Sequence, residues 1–387
     1  MSAAHGRPSP DHRPGLYDHA LRLHRLTPDG PLPRDGEPFP DTELHEGPGP
    51  ERPLGRGTQG VGVVRVLDTH FARPSAPPEA LAPAFHDVHV PIHPDDGITA
   101  AALRHEPNQV RAAGRWLVRH GDDQCAVTVG LALLAATGTA EDIPLVRTIG
   151  LLSNHFGPLA THALERLDPS AQSLLWLADR TASWGRVYVV EALCRLDHPD
   201  ARPWLLRRAI DGDFLNGYFA GTVATTARLH EQVEHFAADH ELLDHSGRLL
   251  AMLAYASGMG TTLRHYPHSA TVLRAHLRAV SALPPTVGRL STLAALTRQL
   301  TTAPAEDSGC TEAQRASLLA AHLALLDRED WYRATCALLE EGNDWVHWFA
   351  GANATEVPLR AFAGWVPDDD EHPQPPGRRR RSLRREP

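Results

Sequence analysis

What most constrains this chain is a punctuated helical rhythm. From about residue 100 onward, apolar residues recur at helical spacing in blocks of 11–16 residues, each bounded by Gly, Asp-Pro, His-Pro or Gly-Asp. No convincing run of alternating apolar and polar residues, the mark of a half-buried strand, interrupts them. The blocks also repeat. ALERLDPSAQSLLWL at 163–177 lines up with ALCRLDHPDARPWLL at 192–206, an offset of 29 residues, and the Arg-Leu dipeptide recurs at Arg228-Leu229. Upstream, ATGTAEDIPLVRTI at 136–149 keeps the same phase, with Pro144 two helical pairs before Pro203. Two helices in a period of roughly 30 residues indicate a helical repeat. Burying a large apolar side chain stabilises by about 1.5–3 kcal/mol, while ordering one residue's backbone costs about 1–2 kcal/mol. One isolated helix pair is therefore unstable, and a stack whose members cover one another is not.

Two blocks show the local logic. In DPSAQSLLWLADRT, Asp168 is expected to cap a helix that opens on Pro169, with Ala171, Leu174, Leu175 and Ala178 on its buried face. GRVYVVEALCRLD is apolar around most of its circumference, so its helix must lie between neighbours. Before the array, residues 1–58 are broken throughout by Pro and Gly. They read as a mostly irregular arm with one helix at Leu16–Leu26, on which Leu16, Ala20, Leu23 and Leu26 share a face. Residues 59–100 read as an N-terminal helical cap, with a helix over 61–73 closed by Pro74 and a short element over 79–96. The array itself is expected over 101–366, ending in an aromatic-rich cap that contains Trp331, Tyr332, Trp345, Trp348, Phe349, Phe362 and Trp365. Residues 367–387 are too charged and Pro-rich to fold.

The segment GRVYVVEALCRLDHPDARPWLLRRAI (185–210) resembles HEAT-type repeats, in particular the short form first noted in phycobilin lyases. Arg186, the Glu191-Ala192-Leu193 run and the Asp197–Asp200 turn match that pattern. The preceding unit matches at Ala163-Leu164 and Leu167-Asp168 but has Gly157 where the Arg should stand. The resemblance covers about 100 residues, 136–230. It implies an all-α fold, an α-solenoid of antiparallel helix pairs, and says almost nothing about activity, because such arrays host scaffolds and a few enzymes.

Composition removes several functions. All 38 basic residues are Arg; the chain has no Lys. A Walker A loop, a protein kinase and a Schiff-base enzyme each need a lysine amine, and Arg cannot take the place of a group that must lose its proton. Cys125, Cys194, Cys310 and Cys336 form no zinc-type spacing, and Cys194 lies in an apolar run that suits a buried thiol. With no secretory signal and no apolar run of about 18 residues, the expectation is a cytoplasmic protein with reduced thiols and no membrane contact.

Several motifs invite chemistry. Gly55-Arg56-Gly57-Thr58-Gln59-Gly60 spells GxGxxG, but no strand precedes it, so it reads as a chance match. His86, His89 and His93, with Asp87, Asp95 and Asp96, offer metal-ligand types, although Pro91 and Pro94 break any helix that would align them. His230, His235 and His240 form the densest titratable segment. His230 and His235 are one residue too far apart for an HExxH site, and Glu231–His235 and Glu241–His245 read better as solvated i,i+4 pairs. His-Glu at 45, 105, 230 and 240 ignores the repeat period. Asp122-Asp123 and Asp211-Gly212-Asp213 read as caps and turns. No catalytic triad is visible. Arg378, Arg379, Arg380, Arg381, Arg384 and Arg385 form a basic tail that follows Asp368-Asp369-Asp370-Glu371.

The expected function is a non-enzymatic interaction scaffold whose partner is another protein, with no cofactor. Trp184, Arg186, Trp204, Arg207 and Arg208 are its candidate anchors, because Trp and Arg dominate interface hot spots. The alternatives are a nucleic-acid enzyme resembling the HEAT-like alkylpurine DNA glycosylases, or a metal-dependent enzyme using the histidines above. The net charge of −9 opposes nucleic-acid binding except through the basic tail. A continuous positive groove would favour the glycosylase; a mixed or acidic one favours the scaffold.

Overall fold

A computed structural model describes residues 13–45, 55, 58–73, 76–342, 357 and 359–363. Its regular structure is entirely helical: among the described residues there are α-helices and short 3-10 turns and no strand. The chain divides into two compact units, Met1–Asp200 and Ala201–Pro387.

The first unit contains α1 (Leu16–Leu26), α2 (Val61–Phe71), α3 (Asp96–Leu103), α4 (Pro107–His120), α5 (Gln124–Thr137), α6 (Ile143–Ile149), α7 (Ser153–Leu167), α8 (Gln172–Ala178) and α9 (Ser183–Leu196). Consecutive helices pack as pairs, α4 with α5, α6 with α7 and α8 with α9. The second members form a row, α5 on α7 and α7 on α9; the first members form another, α4 on α6 and α6 on α8. This two-row pattern gives each pair the cover that the sequence demanded. It suits α5, where eleven of fourteen residues are buried, and α9, where Val187, Val189, Val190, Ala192, Leu193 and Cys194 are all buried. Two close approaches hold the rows together. A Cβ on Gly130 would stand 2.8 Å from Leu117 Cβ, and one on Gly185 would stand 1.8 Å from Ser153 Oγ. α2 and α3 close one end with a core of Val63, Leu67, Phe71, Phe85 and Ile98.

The second unit contains α10 (Arg202–Arg208), α11 (Ala220–Thr226), α12 (His240–Tyr255), α13 (Ser269–Val280), α14 (Val287–Thr302), α15 (Glu312–Leu326) and α16 (Glu329–Glu340). α12 is its hub and packs on α10, α11, α13 and α14; α15 covers α13 and α14. Trp331 on α16 is 0% exposed and Phe362 is buried. Trp331 and Phe362 are therefore core and Tyr332 is half-buried under Arg360, while Trp345, Trp348, Phe349 and Trp365 lie outside the described residues, as does the 367–387 tail.

Of the residues paired by the 29-residue offset, Ala163 and Ala192, Leu164 and Leu193, and Leu177 and Leu206 are alike buried, whereas Leu174 is buried and its counterpart Pro203 exposed. Some local expectations need correction. Asp168 does bind the Ser173 N–H at 2.7 Å, but α8 starts at Gln172, after Ala171 in the left-handed region (φ 65°), so Pro169 stays outside the helix. On α1, Leu26 is 71% exposed and His19 takes a buried place, with its Nε2 2.7 Å from the Gly36 carbonyl oxygen.

Among the described residues of the N-terminal segment, only the 3-10 turns Pro33–Gly36 and Thr42–His45 follow α1 before residue 58, and these residues are built into the first unit. α1 packs on α4 and α6. Asp35 accepts hydrogen bonds from the Ser153 N–H (3.0 Å), the Ser153 hydroxyl (2.6 Å) and the Asn154 N–H (2.5 Å). Asp41 accepts from the Gln124 N–H at 2.6 Å. Two carboxylates of the arm thus satisfy the free donors at the starts of α7 and α5.

Candidate functional site

A cleft of about 330 Å³ opens along α7 and α9. α7 contributes Pro158, Thr161, His162 and Glu165, and α9 contributes Tyr188, Glu191 and Arg195, spacings that put each set on one helix face. His93 and Pro94, from the loop before α3, form one end. Trp184, one turn before Tyr188, is 40% exposed beside the cleft. Its ring stacks on Tyr188 at 6.1 Å and 24°, and Tyr188 meets His93 edge-on at 5.8 Å. Aromatic pairs at these spacings hold one another rigid and present a large contact surface.

The charge of the cleft is mixed. Arg195 lies between two carboxylates, with Nε 2.8 Å from Glu165 Oε1 and a terminal nitrogen 3.9 Å from Glu191 Oε2. Burial raises Glu191 above the usual carboxylate range, and Arg195 partly opposes that shift. Burial, and then Glu191, raises Tyr188. His162 Nδ1 is 3.9 Å from Glu165 Oε2. Two carboxylates and one guanidinium, with two histidines, do not make a positive groove. A larger hollow of about 460 Å³ beside α2 is lined by Arg65, His70, Arg73, Pro77, Leu81 and Ala84 among others, and offers neither carboxylate nor thiol.

Of the expected anchors, Trp184 is the one at the cleft. Arg186 is buried; its guanidinium hydrogen-bonds the Ala178 and Thr181 carbonyls at 3.3 Å each, so it fastens α9 to the end of α8. Trp204 is half-buried and Arg208 exposed, both on α10 in the second unit. Arg207 binds Asp239, the N-cap of α12, at 2.6 Å.

The histidine triplets separate. His93 joins the cleft and His86 turns to Asp123, 3.0 Å away, while among the described residues neither triplet, His86, His89 and His93 or His230, His235 and His240, gathers its donor atoms into a metal-sized set. His230 stacks flat on His268 at 3.7 Å, and His235 and His240 are exposed. Val233–His235 is a 3-10 turn, so Glu231 and His235 are not one α-helical turn apart; His235 faces Glu234 at 3.8 Å. His245 is not solvated but 0% exposed, and its Nε2 accepts from the Ile210 N–H at 2.9 Å. Gly60 leads directly into α2 with no strand before it among the described residues; Arg56 and Gly57 of that motif lie outside them. The basic tail, Arg378–Arg381 with Arg384 and Arg385, lies outside them too. None of the four cysteines is in a disulfide, and Cys194 is buried as expected. Burial, then Asp123 and Asp41, pushes Cys125 up to about 12, which makes it a poor nucleophile.

Tyr188, Glu191 and Arg195 were within reach of sequence reasoning, since they continue the face of Trp184 at i+4, i+7 and i+11. The arrival of His93 and Pro94 carries no local signal. No helix among the described residues is long and apolar enough to cross a membrane. Comparisons with models of known protein families, with curated proteins and with solved structures find no match.

Proposed function

We propose that the protein is a HEAT-like interaction scaffold that binds another protein through the α7/α9 face. The observation that carries this reading is the stack of exposed Trp184 on half-buried Tyr188 beside a cleft of mixed charge. Aromatic anchors beside a few partly buried polar groups are the usual make-up of protein-binding hot spots. A glycosylase-type groove needs continuous positive charge to meet phosphates, and Glu165 and Glu191 oppose it. The fitting partner segment carries an apolar side chain for the ring stack and a cationic one for Glu191 and the Trp184 face.

The test is capture from native cell extract by the full chain, treated with nuclease, and by two variants. Trp184→Ala/Tyr188→Ala is expected to weaken the partner about 30-fold or more, from roughly 2 kcal/mol at a hot spot. Phe214→Ala, which removes an exposed aromatic of the second unit, is expected to leave it unchanged. Equal capture by all three chains, or recovery that disappears with nuclease, refutes the reading.

A further inference from the structure

A second constellation in the first unit has no part in the cleft. It joins three segments distant in sequence: the 3-10 turn Thr42–His45, the residue after the 3-10 turn Ala82–Phe85, and the start of α5. His45 Nε2, Asp123 and Cys125 Sγ place one donor atom each within 4.8 Å of one another, the one such set of three among the described residues. His86 Nδ1 lies 3.0 Å from Asp123 Oδ2, and His45 Nε2 lies 3.6 Å from the same oxygen. The two imidazole rings are 5.3 Å apart, tilted at 56°.

The bonding of these groups is incomplete. Asp123 Oδ1 is used by the helix, accepting from the Cys125 and Ala126 N–H groups at 2.7 and 3.3 Å. Its Oδ2 faces the two histidines. Asp41, 0% exposed, spends Oδ2 on the Gln124 N–H and has a buried Oδ1 with no hydrogen-bond partner. His45 Nε2 is also buried and hydrogen-bonds to nothing, although Asp41 Oδ2 is 3.2 Å away. Orphaned buried donors and acceptors are rare and call for an explanation. Among the described residues, the ion-pair partners of both carboxylates are histidines, with no guanidinium.

The spacing supplies one. A tetrahedral zinc ion with bonds of about 2.0–2.1 Å to N and O separates its ligand atoms by roughly 3.4 Å. The 3.6 Å separation of His45 Nε2 and Asp123 Oδ2 is close to that edge. An imidazole, a carboxylate and a thiol suit zinc, whereas calcium and magnesium take oxygen ligands. We propose that His45, Asp123 and Cys125 bind one zinc ion, which clips the N-terminal arm to the start of α5, with His86 orienting the Asp123 carboxylate through its 3.0 Å contact from beside the site. Binding releases the Cys125 thiol proton to solvent. Asp41 stands beside His45 as the carboxylate that orients a ligand imidazole and balances the ion's charge. The ion closes the chain loop between residues 45 and 123, and such a closure restricts the unfolded chain. This site is independent of the cleft, so neither reading depends on the other.

The test uses the full chain, freed of metal by chelator and then titrated with zinc in competition with a chromophoric chelator. Wild type is expected to take up close to one equivalent and to melt about 3–6 °C higher at a hundredfold excess over Kd. His45→Ala and Cys125→Ser are expected to lose at least 100-fold in affinity and most of that thermal gain. Cobalt serves as a second probe: a thiolate-to-cobalt charge-transfer band appears in wild type and is absent in Cys125→Ser. Because the metal-free chains are compared directly, a variant that fails to fold is recognised by its own melting curve, and His45→Gln then replaces it. Uptake below 0.1 equivalent by wild type, or unchanged uptake by His45→Ala and Cys125→Ser, overturns the proposal.

Discussion

His276 and His322 show how far a single residue's chemistry is reset by its surroundings. They are 2% and 0% exposed. Burial, then the His322 and Arg289 charges, holds His276 down to about 3, and burial holds His322 down to about 4. In the unfolded chain both titrate near 6.5. Below that pH the unfolded state binds protons that the native state refuses, so stability is complete above about 6.5 and falls as the pH drops toward 4. The slope is about 1.4 kcal/mol per pH unit for each histidine. Urea unfolding at a series of pH values should show it, and His322→Leu should remove one histidine's share. Parallel profiles for the two proteins would contradict this assignment. Asp35, pushed up to about 6 by burial against the opposing Ser153 and Asn154 hydrogen bonds, acts in the opposite sense: the pH-dependent share of its contribution is full below about 3.8 and is lost as the pH rises through 6, while its hydrogen bonds to the start of α7 persist. That contribution is common to both proteins and cancels in the comparison. None of these shifts is legible from the sequence. His235 and His276 are the same residue type on helix-like text, and only the packing of neighbouring helices leaves one wet and the other dry.

Helices α7 and α9 depend on groups outside themselves. α7 starts at Ser153, and the acceptor for its first donors is Asp35, 118 residues upstream. Asp35→Ala is expected to cost about 1–3 kcal/mol, because it removes three hydrogen bonds and leaves helix-start donors partly buried without acceptors; chemical denaturation at pH 7 measures it. Gly185 lets α9 lie against the start of α7. Gly185→Val is expected to destabilise by about 1–3 kcal/mol through overpacking against Ser153, while Gly288→Ala, on the exposed start of α14 with nothing within 4 Å, is expected to be neutral or slightly stabilising. The apolar spacing in 168–181 and 185–197 made both blocks readable as helices. Where they begin was less readable, since the cap of α7 is supplied from another segment and Ala171 takes a left-handed conformation before α8.

For the whole chain, charge is the governing quantity. The net charge is −9, and the cleft brackets its one guanidinium with two carboxylates. Duplex DNA is therefore expected not to bind at about 0.15 M salt, where charges are screened beyond roughly 8 Å. Deleting residues 378–387 should not alter that result, and a retarded band in a gel-shift assay at this salt would show the charge argument to be wrong. The sequence by itself determined the all-helical class and much of the buried face of the repeating blocks, because helical periodicity and Pro/Gly punctuation act over a few residues. It also excluded lysine chemistry outright. The tertiary structure alone decided which distant residues meet: His93 with Tyr188, Asp35 with Ser153, and His45 and His86 with Asp123 and Cys125. Those meetings depend on the path of an irregular arm across packed helices, and a one-dimensional pattern carries no record of that path.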